Sequence, residues 1–276
     1  MSSDFTETVK IAWFGKHFGE EPPLTGNKKQ GAGTIFFSGC NLHCVFCQNY
    51  QISQQGIGRK CDIKDLAKIM LKLQKNGAIN IDLVTPTIWW RQIIKAVIFA
   101  KKMGLSVPIV WNSNGYEKLS IIKSMKGLVD IYLPDIKYGD NKISLKYSGV
   151  KDYTKVALAC LKEMKFQVGS LKIKKGLATN GLLTRHLVLP NNLKNSFLAL
   201  KMIYNLDPSI NISLMSQYAP TNKADNFPEI NTQLSKTEFS QVVEYCLKLG
   251  FKNGWYQKTK SQKIYIPNFN KTSPFN

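Results

Sequence analysis

Apolar and polar positions alternate along the chain in a repeating order. Short apolar runs end in Gly, Pro, Ser or Asn, and each is followed by a stretch with the three-four spacing of an amphipathic helix. The runs that predict strands are TIFF (34–37), INIDLVTPT, PIVWNSNG, VDIYLPDIKY, RHLVLP and ISLMSQYAP. Because strands that alternate with helices pair in parallel through right-handed crossovers, the pattern predicts an α/β fold, either a barrel or a doubly wound sheet.

Helix boundaries follow from capping and breaking residues. Asp62 is expected to cap a helix whose apolar positions recur every three or four residues, and Gly77 is expected to end it. A second helix is predicted from about residue 89 to residue 103, before Gly104. Residues 235–238 have the sequence of a capping box, which predicts the start of a later helix.

Polar residues gather where the predicted strands end. These positions are Ser38, Thr85, Ser113, Asn114, Asp135 and Lys137. In a (β/α) barrel that edge holds the active site, and the chain has no G-x-G-x-x-G or P-loop motif of a nucleotide-binding sheet. We therefore predict one domain over residues 34–257, preceded by an N-terminal arm (1–33) and followed by a polar, loosely held C-terminal tail (258–276).

Charge and composition narrow the class of function. The chain of 276 residues has a formal charge of +20, but among its 38 basic residues only Arg59, Arg91 and Arg185 are arginine. Because site-selected recognition of phosphates and bases depends on arginine, a nucleic-acid partner is disfavoured, and the positive surface is expected to dock an acidic protein. The absence of an apolar signal segment and of a bilayer-length apolar run predicts a soluble, cytoplasmic protein with reduced thiols and no membrane association.

Three of the six cysteines lie close together, in the spacing Cys40-x3-Cys44-x2-Cys47, with Phe46 before the third. Thiols at this spacing are open to three interpretations: a disulfide scaffold, a zinc site and an iron-sulfur cluster. The reducing location disfavours disulfides. The choice between zinc and an iron-sulfur cluster depends on the surrounding sequence.

The remaining cysteines and two of the histidines are interpreted mainly as structural. Cys160 and Cys246 share helical faces with apolar residues and are predicted to be packed core thiols. Cys61 could complete a four-cysteine zinc site with the triad, although the helix cap at the next residue already explains the turn there. His17 and His186 are interpreted as structural.

The cysteine spacing, with a predicted strand before it and a helix after it, resembles the signature of the radical S-adenosylmethionine (SAM) superfamily. In that superfamily three thiolates hold a 4Fe-4S cluster, and the iron without a protein ligand binds SAM. The segments GAGTIFFSGCNLHCVFCQNYQIS, PDIKY, YSGVKDY and RHLVLP also resemble the pyruvate formate-lyase activating enzymes, and most of all their uncharacterised, activase-like branch. The resemblance covers about residues 14 to 257.

The resemblance implies a fold, a reaction and a set of site residues. The fold is a partial (β/α) barrel of six to eight mostly parallel strands, with the cysteine loop after the first. The enzyme is an oxidoreductase that reductively cleaves SAM to a 5′-deoxyadenosyl radical, which abstracts hydrogen from a substrate such as a glycine of a partner protein. The implied electron donor is a flavodoxin or ferredoxin. The implied cluster ligands are Cys40, Cys44 and Cys47, and the residues expected to face SAM are Asn112, Ser113, Asn114, Asp135, Lys137 and Arg185.

The chain departs from the activating-enzyme pattern at three places. The stretch before Gly31 lacks the cysteine-rich segment expected in the activase-like branch, so an additional metal site is not expected there. Residues 85–88 read Thr-Pro-Thr-Ile where those enzymes have Gly-Gly-Glu-Pro, whose backbone holds the SAM amino group. Asn112 replaces an aspartate, so the contacts attributed to that carboxylate do not carry over. Two other functions stay open: an RNA-modifying radical SAM enzyme and a non-enzymatic zinc or iron-sulfur binding module. The sequence does not predict the substrate, the oligomeric state or the role of Cys61.

Overall fold

The structure is a computed structural model that describes residues 7–257 and 266–275. Its strands are β1 (Thr8–His17), β2 (Ala32–Phe37), β3 (Arg59–Asp62), β4 (Ile81–Val84), β5 (Ile109–Ser113), β6 (Ile131–Pro134), β7 (Lys172–Lys174), β8 (Leu177–Leu187), β9 (Asn211–Met215) and β10 (Gly254–Tyr256). Its α-helices are α1 (Pro22–Thr25), α2 (Tyr50–Ser53), α3 (Ile63–Lys75), α4 (Trp90–Lys102), α5 (Leu119–Ser124), α6 (Asn141–Ser148), α7 (Tyr153–Val168), α8 (Leu193–Leu206) and α9 (Lys236–Leu249).

The described strands form one open sheet in the order β10-β9-β8-β6-β5-β4-β2-β1-β3, with β7 paired to β8. The strands from β10 to β2 in this order pair in parallel, whereas β1 runs antiparallel to both β2 and β3. Parallel neighbours need long crossovers, and the helices between them supply these connections. The predicted α/β fold with a mostly parallel sheet is therefore confirmed.

Local sequence sets the ends of the predicted helices. At the start of α3 the Asp62 carboxylate accepts the Asp65 N–H at 2.8 Å, which satisfies one of the unpaired donors of the first turn. Gly77 follows α3 with a φ of +83°, a left-handed conformation that favours glycine. The capping box of α9 is present between Ser235 and Glu238. These boundaries confirm the predictions made from capping residues.

The described segments outside residues 34–257, namely 7–33 and 266–275, also pack against the sheet. β1, within the predicted arm, extends the sheet beside β2. Residues 266–275, within the tail predicted to be loosely held, lie against the same region, and Phe269 is only 6% exposed. The ring centroids of Phe269 and Phe275 each lie 5.4 Å from that of Phe36. The packing of these two aromatic rings against Phe36 stabilises a segment whose composition is otherwise polar. Residues 258–265 of the tail lie outside the described residues, and the domain boundaries stay a prediction.

The largest apolar core lies between the sheet and its helices. Trp111 on β5 and Tyr132 on β6 are fully buried there, and each large apolar side chain buried in this way contributes about 1.5–3 kcal/mol. Cys160 and Cys246 also lie in this core, as predicted. Within residues 7–257 and 266–275, no helix combines the length and the apolar character that a bilayer crossing requires.

Candidate functional site

The cysteine loop occupies residues 38–49, between β2 and α2. Gly39, with a φ of +90°, turns the chain out of the strand in a conformation that side chains disfavour. Two backbone hydrogen bonds anchor the loop, because Val45 donates its N–H to Tyr147 O at 2.9 Å and accepts the Lys223 N–H at 2.8 Å. The loop is thus held against the barrel at the carboxyl end of β2.

A cavity of about 210 Å³ lies at the carboxyl ends of the parallel strands. Its wall includes every residue assigned to a site from the sequence, namely Cys40, Cys44, Cys47, Asn112, Ser113, Asn114, Asp135, Lys137 and Arg185. The carboxyl ends of neighbouring parallel strands meet at one edge of a sheet, so residues far apart in sequence converge there. The structure thus brings these residues together, and their individual roles stay predictions.

Each cysteine of the triad has a polar side-chain neighbour. The pairs are Asn114 Nδ2 and Cys40 Sγ at 3.3 Å, Ser148 Oγ and Cys44 Sγ at 3.0 Å, and Ser53 Oγ and Cys47 Sγ at 3.3 Å. Burial raises the pKa of the Cys44 thiol to about 12. A thiolate at this position therefore requires a bound metal or cluster to stabilise it.

Lys137 brings positive charge to the cavity beside the cysteines. Its Nζ donates to Asp135 Oδ2 at 2.6 Å. Burial alone would lower the pKa of Lys137, but Asp135 and Cys44 outweigh it and hold the pKa above its ordinary value. The Tyr153 hydroxyl accepts the Lys137 N–H at 2.9 Å, which fixes the backbone at this strand end. An ammonium with three N–H groups can pair with Asp135 and with a ligand carboxylate at once.

Arg185 is bound by two glutamates from the segment before α1. Its Nε donates to Glu21 Oε1 at 2.8 Å, its Nη2 donates to Glu21 Oε2 at 2.5 Å, and Nη2 also donates to Glu20. Burial alone would lower the pKa of Arg185, but the two carboxylates outweigh this effect and hold the pKa well above its ordinary value. The guanidinium that the resemblance places against SAM is therefore already paired with protein carboxylates, and a ligand would have to share it.

Glu117 fixes the end of β5. Its buried carboxylate accepts hydrogen bonds from Thr87 Oγ1 at 2.9 Å, Trp111 Nε1 at 3.0 Å and Ser113 Oγ at 2.7 Å. Burial raises the pKa of Glu117, and the three hydrogen bonds oppose that rise. Ser113 is thereby held at the cavity wall in one orientation.

The Asn112 side chain lies next to the buried carboxyl group of Asp82. Its Nδ2 is 3.5 Å from Asp82 Oδ2, and Thr34 Oγ1 donates to the same oxygen at 3.3 Å. Burial, followed by the charge of Glu20, raises the pKa of Asp82 well above its ordinary value. An aspartate in place of Asn112 would set a second carboxylate beside Asp82, which like-charge repulsion disfavours. The departure from the activating-enzyme pattern at this position therefore has a local physical reason.

Thr85 lines the cavity in an unusual backbone conformation. Its φ is +58°, and its N–H donates to Asn112 O at 2.9 Å. A β-branched residue in the left-handed region costs roughly 1–3 kcal/mol and persists only where the surrounding structure holds it. The strain falls in the segment 85–88, where the resemblance places backbone contacts to the SAM amino group.

The cavity wall also contains residues that were not assigned from the sequence. His17, interpreted there as structural, lies at the end of β1 with its ring centroid 4.4 Å from that of Phe275. Burial lowers the pKa of His17, and Glu20 Oε1 lies 3.9 Å from its Nε2. The alternation of TVKIAWFGKH is a strand signal that would have placed His17 at a strand end.

Cys61 lies away from the cavity. It sits on β3, paired with Val9 of β1, and burial raises the pKa of its thiol to about 11. Among the residues that the structure describes, no three His, Cys, Asp or Glu side chains form a group that could hold one metal ion. A four-cysteine zinc site of the kind considered from the sequence would require Cys61 to leave its strand.

Comparison with known proteins finds a family model that matches about half of the chain. A family model described as the radical SAM superfamily matches residues 34–169. The chain is 34% identical over 246 residues to an uncharacterized protein of Methanocaldococcus jannaschii, with 84% of this chain and 65% of that protein covered. The chain thus spans less than two thirds of the length of this relative.

Two solved structures share the fold. The crystal structure of Streptococcus suis SuiB bound to S-adenosylmethionine matches with a TM-score of 0.56 at 14% identity, over 85% of this chain and 49% of SuiB. HydG, a maturase of the FeFe-hydrogenase, matches with a TM-score of 0.55 at 13% identity, over 82% of this chain and 51% of HydG. Residues 34–169 therefore resemble a radical SAM domain, and the chain has the fold of these two structures.

Proposed function

We propose that this protein is a radical SAM oxidoreductase that cleaves SAM reductively and abstracts hydrogen from a substrate. One observation carries the proposal. Cys40, Cys44 and Cys47 line the same cavity as Lys137 and the polar residues at the strand ends. Soft thiolates, a cation for a carboxylate and hydrogen-bonding groups for a ribose are the parts that this chemistry requires.

The cysteine loop suits a 4Fe-4S cluster. Its three thiols face one cavity, and each has a hydrogen-bonding side chain within 3.3 Å. When bound, the reduced cluster would supply the electron that cleaves SAM to methionine and a 5′-deoxyadenosyl radical, which takes a hydrogen atom from the substrate.

The residues of this chain would bind and orient SAM. Lys137, held charged by Asp135, would pair with the SAM carboxylate. The strained backbone at Thr85 would present its carbonyl to the amino group, and Ser113 would bond the ribose hydroxyls. Arg185, bound to two glutamates, would contribute to the shape and charge of the cavity.

Anaerobic reconstitution with iron and sulfide tests the proposal. A brown protein that makes 5′-deoxyadenosine from SAM and dithionite is expected. Cys44→Ala should abolish both the colour and the product, whereas Cys246→Ala, which truncates a core thiol on α9, should keep both. A colourless protein with stoichiometric zinc would point to the binding-module alternative and overturn the enzyme.

For the substrate, we propose an activase-like role in which hydrogen comes from a glycine of a partner protein. The likeness of PDIKY and YSGVKDY to activating enzymes supports this. The test is incubation of the reconstituted protein with extract of source cells grown on glycine deuterated at its α-carbon. Deuterium in 5′-deoxyadenosine should depend on the protein fraction of that extract. Dependence on nuclease-sensitive material would favour the RNA-modifying alternative, and dependence on small molecules alone would refute the activase role.

For the electron donor, we propose an acidic flavodoxin or ferredoxin. Glu21, Asp82 and Glu117 are buried against one buried cation, Arg185, so the outer surface is more basic than the net charge of +20 suggests. Raising salt from about 0.1 M to about 1 M shortens the Debye length from about 10 Å to about 3 Å. Reduction by such a donor should therefore slow with salt, while reduction by dithionite serves as the control. A salt-independent rate would exclude this role of the charge. The cytoplasmic location stays a prediction.

A further inference from the structure

The hydrogen bond to Cys44 differs from those to the other two cysteines because it is wholly buried. Ser148 is 3% exposed and Cys44 is 7% exposed, and Ser148 Oγ donates to Cys44 Sγ at 3.0 Å. The Tyr138 hydroxyl lies 2.5 Å from Ser148 Oγ, and Tyr138 is fully buried. A serine hydroxyl has one proton, so when Ser148 donates to the sulfur, Tyr138 donates to Ser148. The three groups form a relay that points at the sulfur.

The relay is held rigidly in place. Ser148 is the last residue of α6, which Gly149 ends in a left-handed conformation with a φ of +73°. The residue before it, Tyr147, accepts the backbone N–H of Val45 in the cysteine loop at 2.9 Å. The end of α6 and the loop therefore keep a fixed separation. The relay also gives a role to two residues that the proposed function does not use, Tyr138 in PDIKY and Ser148 in YSGVKDY.

We propose that Ser148, polarised by Tyr138, is a positioning residue that raises the reduction potential of the cluster bound through Cys44. This inference rests on the proposed function. One-electron reduction adds negative charge to the cluster and its thiolates, and a buried hydrogen bond stabilises the more negative state more strongly. Ser148 thereby makes it easier for a biological one-electron donor to deliver that electron.

The test is a redox titration of the reconstituted protein with dithionite, without SAM, followed by electron paramagnetic resonance of the reduced cluster. Ser148→Ala should make reduction about tenfold less favourable, which is a shift of about 59 mV to more negative potential for a one-electron couple. Tyr138→Phe should shift the potential in the same direction by a smaller amount, because Ser148 still donates. The double variant, which leaves no buried hydroxyl without a partner, should match Ser148→Ala.

Ser144→Ala is the matched control. Ser144 lies on the same helix and is equally buried, but its hydroxyl donates to Val150 O at 2.7 Å, not to a cysteine. Its potential should equal that of the wild type. An unchanged potential in Ser148→Ala would overturn the inference. If that variant loses its cluster, an unchanged potential in the double variant would overturn it instead. In either case a brown wild type would still support the proposed function. A wild type that binds no cluster would overturn both.

Discussion

Glu117→Ala is expected to destabilise the cavity wall, because Glu117 is the shared acceptor of three buried donors. The side chain is 2% exposed. Its Oε1 accepts from Thr87 Oγ1 and Trp111 Nε1, and its Oε2 accepts from Ser113 Oγ. Alanine removes all three bonds at once and frees Ser113 from its position at the end of β5.

The size of the loss depends on which donors can find another acceptor. A buried donor left unsatisfied costs about 1–3 kcal/mol. The Trp111 ring is fully buried and its N–H cannot move, whereas the hydroxyls of Thr87 and Ser113 can rotate. Removal of the buried carboxylate also recovers its cost of desolvation. We therefore expect a net loss of about 3 kcal/mol in the free energy of unfolding.

Glu117→Gln separates the hydrogen bonds from the side-chain volume. The amide oxygen can keep the bonds from Thr87 and Trp111, and the amide nitrogen then faces Ser113, whose hydroxyl can reverse and accept. This variant should lose only about one hydrogen bond, or about 1 kcal/mol. Glu244→Ala, an exposed position on α9, is the control and should stay within about 0.5 kcal/mol of the wild type.

Urea unfolding followed by far-UV circular dichroism measures these differences. The midpoints should fall in the order wild type, Glu117→Gln, Glu117→Ala, with the slope against urea unchanged. Equal midpoints for Glu117→Ala and Glu117→Gln would mean that the hydrogen bonds kept by the amide do not stabilise the fold, and the reasoning would be refuted.

The pH dependence of the same variants tests the environment of the carboxyl group. Burial holds the pKa of Glu117 above its ordinary value of 4.5. The folded state therefore keeps this proton to a higher pH than the unfolded chain does. The linked stabilisation is complete below the unfolded pKa and is lost as pH rises through the folded pKa. The advantage of the wild type over Glu117→Gln should shrink as pH rises from 4.5 toward neutrality, and a growing advantage would contradict the raised pKa.

Three further substitutions have outcomes set by single contacts. At Gly139 an added Cβ would collide with the backbone of α8, so Gly139→Ala should lower the free energy of unfolding by about 3 kcal/mol, seen as a lower thermal midpoint. Arg185→Lys cannot reproduce the two bonds from the guanidinium to Glu21, so the urea assay should show a loss of about 3 kcal/mol in the free energy of unfolding. A midpoint equal to that of the wild type would refute this prediction. In Gln51→Ala the Phe269 N–H loses its acceptor at 2.8 Å, so its amide exchange should accelerate about fivefold, equivalent to about 1 kcal/mol, with no change in the urea midpoint.

Local signals made most of the fold predictable. The strand-helix alternation and the capping residues depend on near neighbours, so α3 and α9 were predicted with their caps. β1 was missed, because its partners are β2 and β3 and it was treated as part of an arm. Its alternating pattern was present in the sequence and was overlooked, and the antiparallel pairing that incorporates it into the sheet is visible only in the folded chain.

The site was predictable only where it follows from strand order. Asn112, Asp135 and Lys137 meet the cysteine loop because adjacent parallel strands end at one edge. The pairing of Glu21 with Arg185 joins residues separated by 164 positions, and no spacing in the sequence indicates it. Such contacts depend on how the segment before α1 enters the barrel, which only the tertiary structure defines.

With a cluster bound, the charge inside the cavity would differ in sign from that of the whole protein, and this difference bears on the ligand. Glu20 and Asp135 in the cavity wall balance the cations Arg185 and Lys137, and a 4Fe-4S core held by three thiolates would add net negative charge. SAM has a sulfonium and an ammonium against one carboxylate, so its net charge is positive. A cavity of this kind attracts a cationic ligand and repels a phosphate chain. The proposed SAM site and the proposed acidic electron donor are therefore compatible, because the basic outer surface can guide such a donor while the interior would favour SAM over an RNA substrate.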